Sequence, residues 1–133
     1  MSGLVLKLGP NERVLINGVV VENGDRRTRL AIKTSNAHIL RLRDAIHPDK
    51  ATTPVRRVCY IAQLVLSGDA DAALGRRQLL TGIEQLSQVL TDYDSRNLLT
   101  QATTSVLQDQ FYSALKTLRA LLPREERLLA ATA

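Results

Sequence analysis

A chain of 133 residues with 44% hydrophobic content has enough apolar material for one domain, or for two small subdomains sharing a core. The net charge is +5, and with no Trp, one Phe and three Tyr the chain is poorly suited to reading bases on a row of aromatic rings. The single cysteine, Cys59, excludes an internal disulfide, and no apolar run approaches the ~20 residues that span a bilayer. The N-terminus also lacks the basic start and long apolar stretch of a signal peptide, so a cytoplasmic protein is expected.

In chain order, Val5-Leu6 begins a strand that the turn residues Gly9-Pro10-Asn11-Glu12 interrupt. Arg13 to Ile16 and Val19 to Glu22 flank Asn17-Gly18, a strong hairpin signal because both turn residues tolerate positive φ. Asn23-Gly24-Asp25 repeats the turn signal. Thr28 to Lys33 then alternates Leu30 and Ile32 against Arg29, Ala31 and Lys33, the period of a half-buried strand. After Ser35-Asn36, the run Ala37 to Arg43 alternates again, with Leu40 and Leu42 on one side and Ile39, Arg41 and Arg43 on the other. Residues 1–47 therefore read as an antiparallel β meander of about five strands. It has open edges and too little core to stand alone, so it needs the helical half, a second copy of the chain, or both. A homodimer or larger assembly is expected.

The period changes at residues 47–54. Thr53 suits an N-cap and Pro54 a first helical position, predicting a helix from about Pro54 to Leu66. A second helix spans roughly Ala72 to Leu90, weakened by Gly75 and Gly82. Asp94 caps a third helix reaching about Val106. Asp109 caps a fourth, carrying the stripe Phe111, Leu115, Leu118 and Leu122. Pro123 is expected to end it, leaving residues 124–133 as a frayed tail. The fold class is α+β: an N-terminal antiparallel meander followed by a bundle of about four helices over residues 54–123.

Catalytic and metal chemistry is missing. His38, His47 and Cys59 make no metal-ligand spacing, and no Gly-rich phosphate loop is present. Capping accounts for Asp25, Asp69, Asp94 and Asp109 without catalysis. Cys59 on a helix reads as a small buried apolar residue. Neither an enzymatic role nor a cofactor is expected.

The positive charge is uneven. Residues 1–54 hold nine Lys/Arg against five Asp/Glu, whereas residues 55–133 hold nine against eight. Within the basic half, Arg26 and Arg27 follow a turn, Arg29 sits on the next strand, and Arg41 and Arg43 share a face of the last one. Arginine's planar fork matches phosphate oxygens and base edges, so this cluster fits nucleic acid. By spacing alone, an ordinary solvated sheet face explains it equally well.

Two stretches carry more. Residues Asn17 to Arg27 (NGVVVENGDRR) and Ala51 to Tyr60 (ATTPVRRVCY) resemble the FlbT family of bacterial flagellar regulators, and Phe111 to Lys116 (FYSALK) is similar to that family's last helix. The resemblance implies post-transcriptional control of flagellin. Such a regulator binds the 5′ untranslated region of flagellin mRNA, alters its translation or lifetime, and works alongside a FlaF-type flagellar protein. The family includes both repressors and activators. No DNA or membrane partner is implied.

The run Leu4 to Ile46 also resembles the RNA-binding regulator CsrA. Arg43 falls where that protein keeps its chief RNA-contacting arginine, and Lys7 falls near the other end of its binding edge. This chain has Lys7-Leu8 where CsrA carries Thr-Arg-Arg. The rival reading belongs to another class: an adaptor or chaperone whose helical half holds FlaF or flagellin, with the charge incidental.

Overall fold

The computed structural model describes residues 4–17, 19–35 and 37–132. Its β half is built on one long, bent hairpin. Strands β1 (Leu4–Leu8), β2 (Arg13–Ile16), β3 (Val19–Glu22) and β4 (Thr28–Ile32) pair as β1 with β4 and β2 with β3, all antiparallel. Strand β5 (Ile39–Arg41) joins the free edge of β2. The result is a two-stranded β1-β4 sheet and a three-stranded β3-β2-β5 sheet, and the expected sequential meander is confined to the β2–β3 pair. The inner turn holds Asn17 at φ 50°, as the Asn-Gly signal requires; Gly18 lies outside the described residues.

The register explains the bend. Leu8 faces Thr28 and Arg13 faces Glu22, so the side between β3 and β4 holds one residue more than the side between β1 and β2. An unequal count of this kind is a bulge, which twists a ribbon and re-aims the side chains beside it. Backbone bonds from Asn11 N–H to the Gly24 carbonyl and from Asn23 N–H to the Glu12 carbonyl, both 2.8 Å, carry the ladder into the bend. Leu6, Leu8, Val14 and Ile39 form a small core between the sheets, edged by Leu30 and Ile32 as their alternation predicts. Expected alternation fails beyond Arg41, because Leu42–Asp44 turns into a 3₁₀ helix. Ile39 and Leu40 are therefore both buried, Ile39 in the sheet core and Leu40 in the helical one.

Helix α1 (Pro54–Ser67) starts and stops on its local signals. Thr53 accepts from Arg56 N–H at 3.3 Å, and Gly68 closes the helix at φ 83°. Helix α2 (Ala72–Ser87) runs antiparallel to it at close range. A Cβ at Gly75 would overlap Val65, and one at Gly82 would overlap Val58, so the two glycines thought to weaken this helix are what lets it approach α1. Helix α3 (Tyr93–Leu107) is capped by Asp92, not Asp94, through Ser95 N–H at 3.0 Å. Hydrogen bonding from Ser95 holds the Asp92 carboxyl below its usual range. Helix α4 (Phe111–Arg119) buries Phe111, Leu115 and Leu118 as the stripe predicts. Asp109 is not its cap; held at φ 57°, it instead accepts from Arg76 Nε at 3.0 Å.

Pro123 does not end the last helix. It lies in the first turn of a fifth, α5 (Leu122–Thr132), where a missing backbone N–H costs nothing. Residues 124–132 are therefore structured, not frayed. Buried Glu125 accepts from the Thr53 hydroxyl and, at 2.8 Å, from Val55 N–H, covering the first turn of α1. Arg124 lies 3.8 Å from both Asp92 and Asp94, and Arg56 pairs with Glu126 at 3.6 Å.

The halves share a core. Leu40 is buried among the helices, with Leu15, Ala45 and Ile46 packed against the same cluster. Buried Gln63 accepts from Ile46 N–H at 2.7 Å and donates to its carbonyl at 2.9 Å, acting as a surrogate strand partner for the connecting segment. Cys59 is fully buried, and burial pushes its thiol up to about 12, so no thiolate forms near neutral pH. The close α1–α2 approach gives a direct check. Gly75→Ala raises helix propensity yet should lower stability by ~1–3 kcal/mol in urea unfolding, because the new methyl would overlap the stiff, buried Val65 side chain.

Candidate nucleic-acid interface

Two polar side chains fix the bend that presents the basic residues. Glu12 turns its carboxylate inward, where it accepts from Gly9 N–H at 3.0 Å and from Arg41 Nε and Nη2 at 2.9 and 3.1 Å. Arg41 Nη2 also donates to the Lys7 carbonyl, tying β5 in one sheet to β1 in the other. The second is Asn23, whose side-chain amide donates to the Gly9 carbonyl at 2.7 Å and to the Arg26 carbonyl at 2.8 Å. It stitches the bulged 23–27 segment to the end of β1.

Around this frame the six predicted site residues separate into three groups. Arg41 is spent internally: its side chain is 14% exposed and its guanidinium is engaged by Glu12 and Lys7. It positions the surface but does not present a free fork to a ligand. Arg43 approaches the same Glu12 carboxylate at 3.6 Å but stays 60% exposed. Lys7, Arg26, Arg27 and Arg29 are exposed, and their side chains have no hydrogen-bonding or ionic partner among the described residues.

The register sharpens the last group. Lys7 lies directly opposite Arg29 across the β1–β4 pair, so two like charges share one rung of a solvent-facing surface. Directly opposed like charges destabilise a sheet by a few tenths of a kcal/mol or more. The loop's own acid, exposed Asp25, leaves the segment 25–29 net positive. Of the residues that build this surface, the spacing had not shown the roles of Glu12 and Asn23. The legible signal for the first was Gly9-Pro10-Asn11-Glu12, since a Glu three residues after a Gly can fold back onto its N–H. Among the described residues, no cluster of His, Cys, Asp and Glu could hold a metal ion, and no helix is long and apolar enough to cross a membrane.

Fold and surface together define a small α+β protein that carries a cationic β ribbon on a helical base. The family model described as "Flagellar protein FlbT" matches residues 4–129, and the chain belongs to the FlbT family. It is 31% identical over 126 residues to the probable flagellum biosynthesis repressor protein FlbT of Caulobacter sp. strain K31, covering 95% of each chain. The probable repressor of the same name from Rhodopseudomonas palustris strain TIE-1 is 33% identical over 129 residues, covering 96% of this chain and 98% of that one. The flagellum biosynthesis repressor protein FlbT of Caulobacter vibrioides strain ATCC 19089 is 29% identical over 126 residues, covering 95% of this chain and 89% of that one. No solved structure matches the chain.

Arg41, with Gly9 N–H next in importance, holds the Glu12 carboxyl below its ordinary value of 4.5. A depressed folded value means that this contribution to stability is fully present above about pH 4.5 and is lost as pH falls through the folded value. Unfolding free energies measured from about pH 6 down to about pH 3 should decline, and Glu12→Gln should be less stable at pH 6 with a shallower decline. Arg41→Ala should cost about 2–4 kcal/mol at neutral pH because Glu12 is left enclosed without its partner, while Arg43→Ala should change stability little.

Proposed function

We propose that this chain is a post-transcriptional regulator of flagellin expression that binds the 5′ untranslated region of flagellin mRNA through its basic β surface and alters translation or stability of the message. Family membership and the names of its relatives support a regulatory role in flagellum biosynthesis, with repression as the direction. The observation that carries the RNA reading is the Lys7–Arg29 rung beside unpartnered Arg26 and Arg27. Cations held together against their own repulsion, on a backbone pinned by Asn23 and Glu12, are prepared for a polyanion.

Arg26, Arg27, Arg29 and Lys7 meet phosphates, and Arg43 contacts a base edge or phosphate in an unpaired loop. Arg41 acts through the frame. An mRNA ligand is met in the cytoplasm, and a FlaF-type flagellar protein is the expected co-worker. A second copy of the chain completes the assembly along an open strand edge. The outer edge of β3 is unpaired among the described residues, and Val19 and Val20 beside it are exposed.

Affinity for the flagellin leader and for a scrambled RNA, each at two salt concentrations, tests the mechanism. Arg43→Ala should weaken leader binding by roughly ten- to a hundredfold, the equivalent of ~1–3 kcal/mol. Arg27→Ala should weaken both RNAs alike and reduce the salt slope by about 0.7 for a single strand. A folded Arg43→Ala protein that binds both RNAs as the parent does would end the edge-reading mechanism. For the assembly, sedimentation at micromolar concentration should give a dimer or larger species; Val20→Lys should shift it toward monomer, and a parent that is cleanly monomeric would contradict the pairing.

A further inference from the structure

The helical half carries a second surface that the RNA reading does not use. A groove of about 860 Å³ opens between α1, α2 and α5, and among the described residues none of its lining belongs to the β half. Its floor includes Val55, Val58 and Ile61 of α1 and Leu86 of α2. Leu74, Val89 and Leu128 stand exposed around its mouth, Val89 at 69%. Apolar side chains gathered at the mouth of an apolar groove mark a binding site more often than chance exposure.

Charge selects the occupant. Arg57 and Arg77 line the groove and are exposed, and the one carboxylate in the lining, Glu125, has its oxygens taken by the Thr53 hydroxyl and Val55 N–H. Among the described residues the lining therefore offers two cations and no free acid, with Arg57 also donating to the Thr52 carbonyl at 3.2 Å. Its walls are helices whose backbone groups are internally bonded, so a strand cannot be added to them; an inserted helix with apolar residues at every third or fourth position can dock. We infer that this groove binds an acidic amphipathic helix of a protein partner, its apolar stripe on the floor and its Glu or Asp side chains against Arg57 and Arg77. The site is independent of RNA binding and stands or falls separately from it.

The test uses the full chain and two fluorescent 16-residue helical peptides of identical Leu stripe, one flanked by Glu and the other by Lys. Anisotropy titrations at low and physiological salt should show preference for the Glu peptide, reduced by salt. Leu128→Asp and Val89→Asp, both at exposed positions that the fold tolerates, should each weaken Glu-peptide binding roughly tenfold or more. The double variant Arg57→Glu with Arg77→Glu should transfer the preference to the Lys peptide. Leader RNA affinity should be unchanged in the Leu128 and Val89 variants, which separates loss of this site from loss of the β surface. Equal binding of both peptides, binding insensitive to all the variants, or no binding at all would overturn the proposal. So would conversion of an assembled protein to monomer by Leu128→Asp, which would assign the groove to a second copy.

Discussion

One carboxylate constrains the β half. Glu12 sits where the long hairpin bends, and its oxygens receive a charged fork from β5 and a backbone N–H from the end of β1. Because Arg41 also reaches the Lys7 carbonyl, the pair ties the β3-β2-β5 sheet to the β1-β4 sheet across the bend. Taking both charges out of water is costly, and the pair persists because the fork is met by two oxygens and the carboxylate gains a further N–H donor. The unequal register bends the hairpin, Asn23 pins the 23–27 segment to the end of β1, and the Glu12–Arg41 pair holds the bend from inside.

The helical half uses the same device at another scale. Glu125 arrives from α5 to accept the Thr53 hydroxyl and Val55 N–H, so a helix that begins on its own local signals is finished by a carboxylate from the far end of the chain. Gln63 does the equivalent work for the connecting segment by bonding both backbone groups of Ile46. With Leu40 set into the helical core, the β ribbon is fastened by packing as well as by polar bonds. The main chain that carries the exposed cations is pinned, although their long side chains keep their own rotamer freedom. The cationic ribbon and the apolar groove share no side chain.

Much of the local structure was legible in particular residues. Asn17 sits at the positive φ its turn demands; Leu30 and Ile32 face inward; Thr53-Pro54 starts α1; Cys59 is enclosed by apolar neighbours. Phe111, Leu115 and Leu118 are buried as their spacing requires. Each of these depends on φ/ψ preference or periodicity within a few residues, which a chain carries wherever it is placed. The basic character of the first 54 residues was likewise fixed by composition.

What the chain could not show on its own was which distant group answers which. Arg41 resembled Arg43 in spacing, yet it became a structural clamp because Glu12, 29 residues away, waits in the bend. Pro123 resembled a terminator, yet it sits in the first turn of a helix whose Glu125 reaches the first turn of α1, 70 residues back. Gly75 and Gly82 resembled weak points, yet they are contact points because Val65 and Val58 press against them. Local preference set the strands, turns and helix starts. The pairing of β1 with β4, the burial of one arginine beside an exposed one, and the groove between three helices were decided only when the chain closed on itself, because hydrogen-bond satisfaction and packing are properties of the partners brought together.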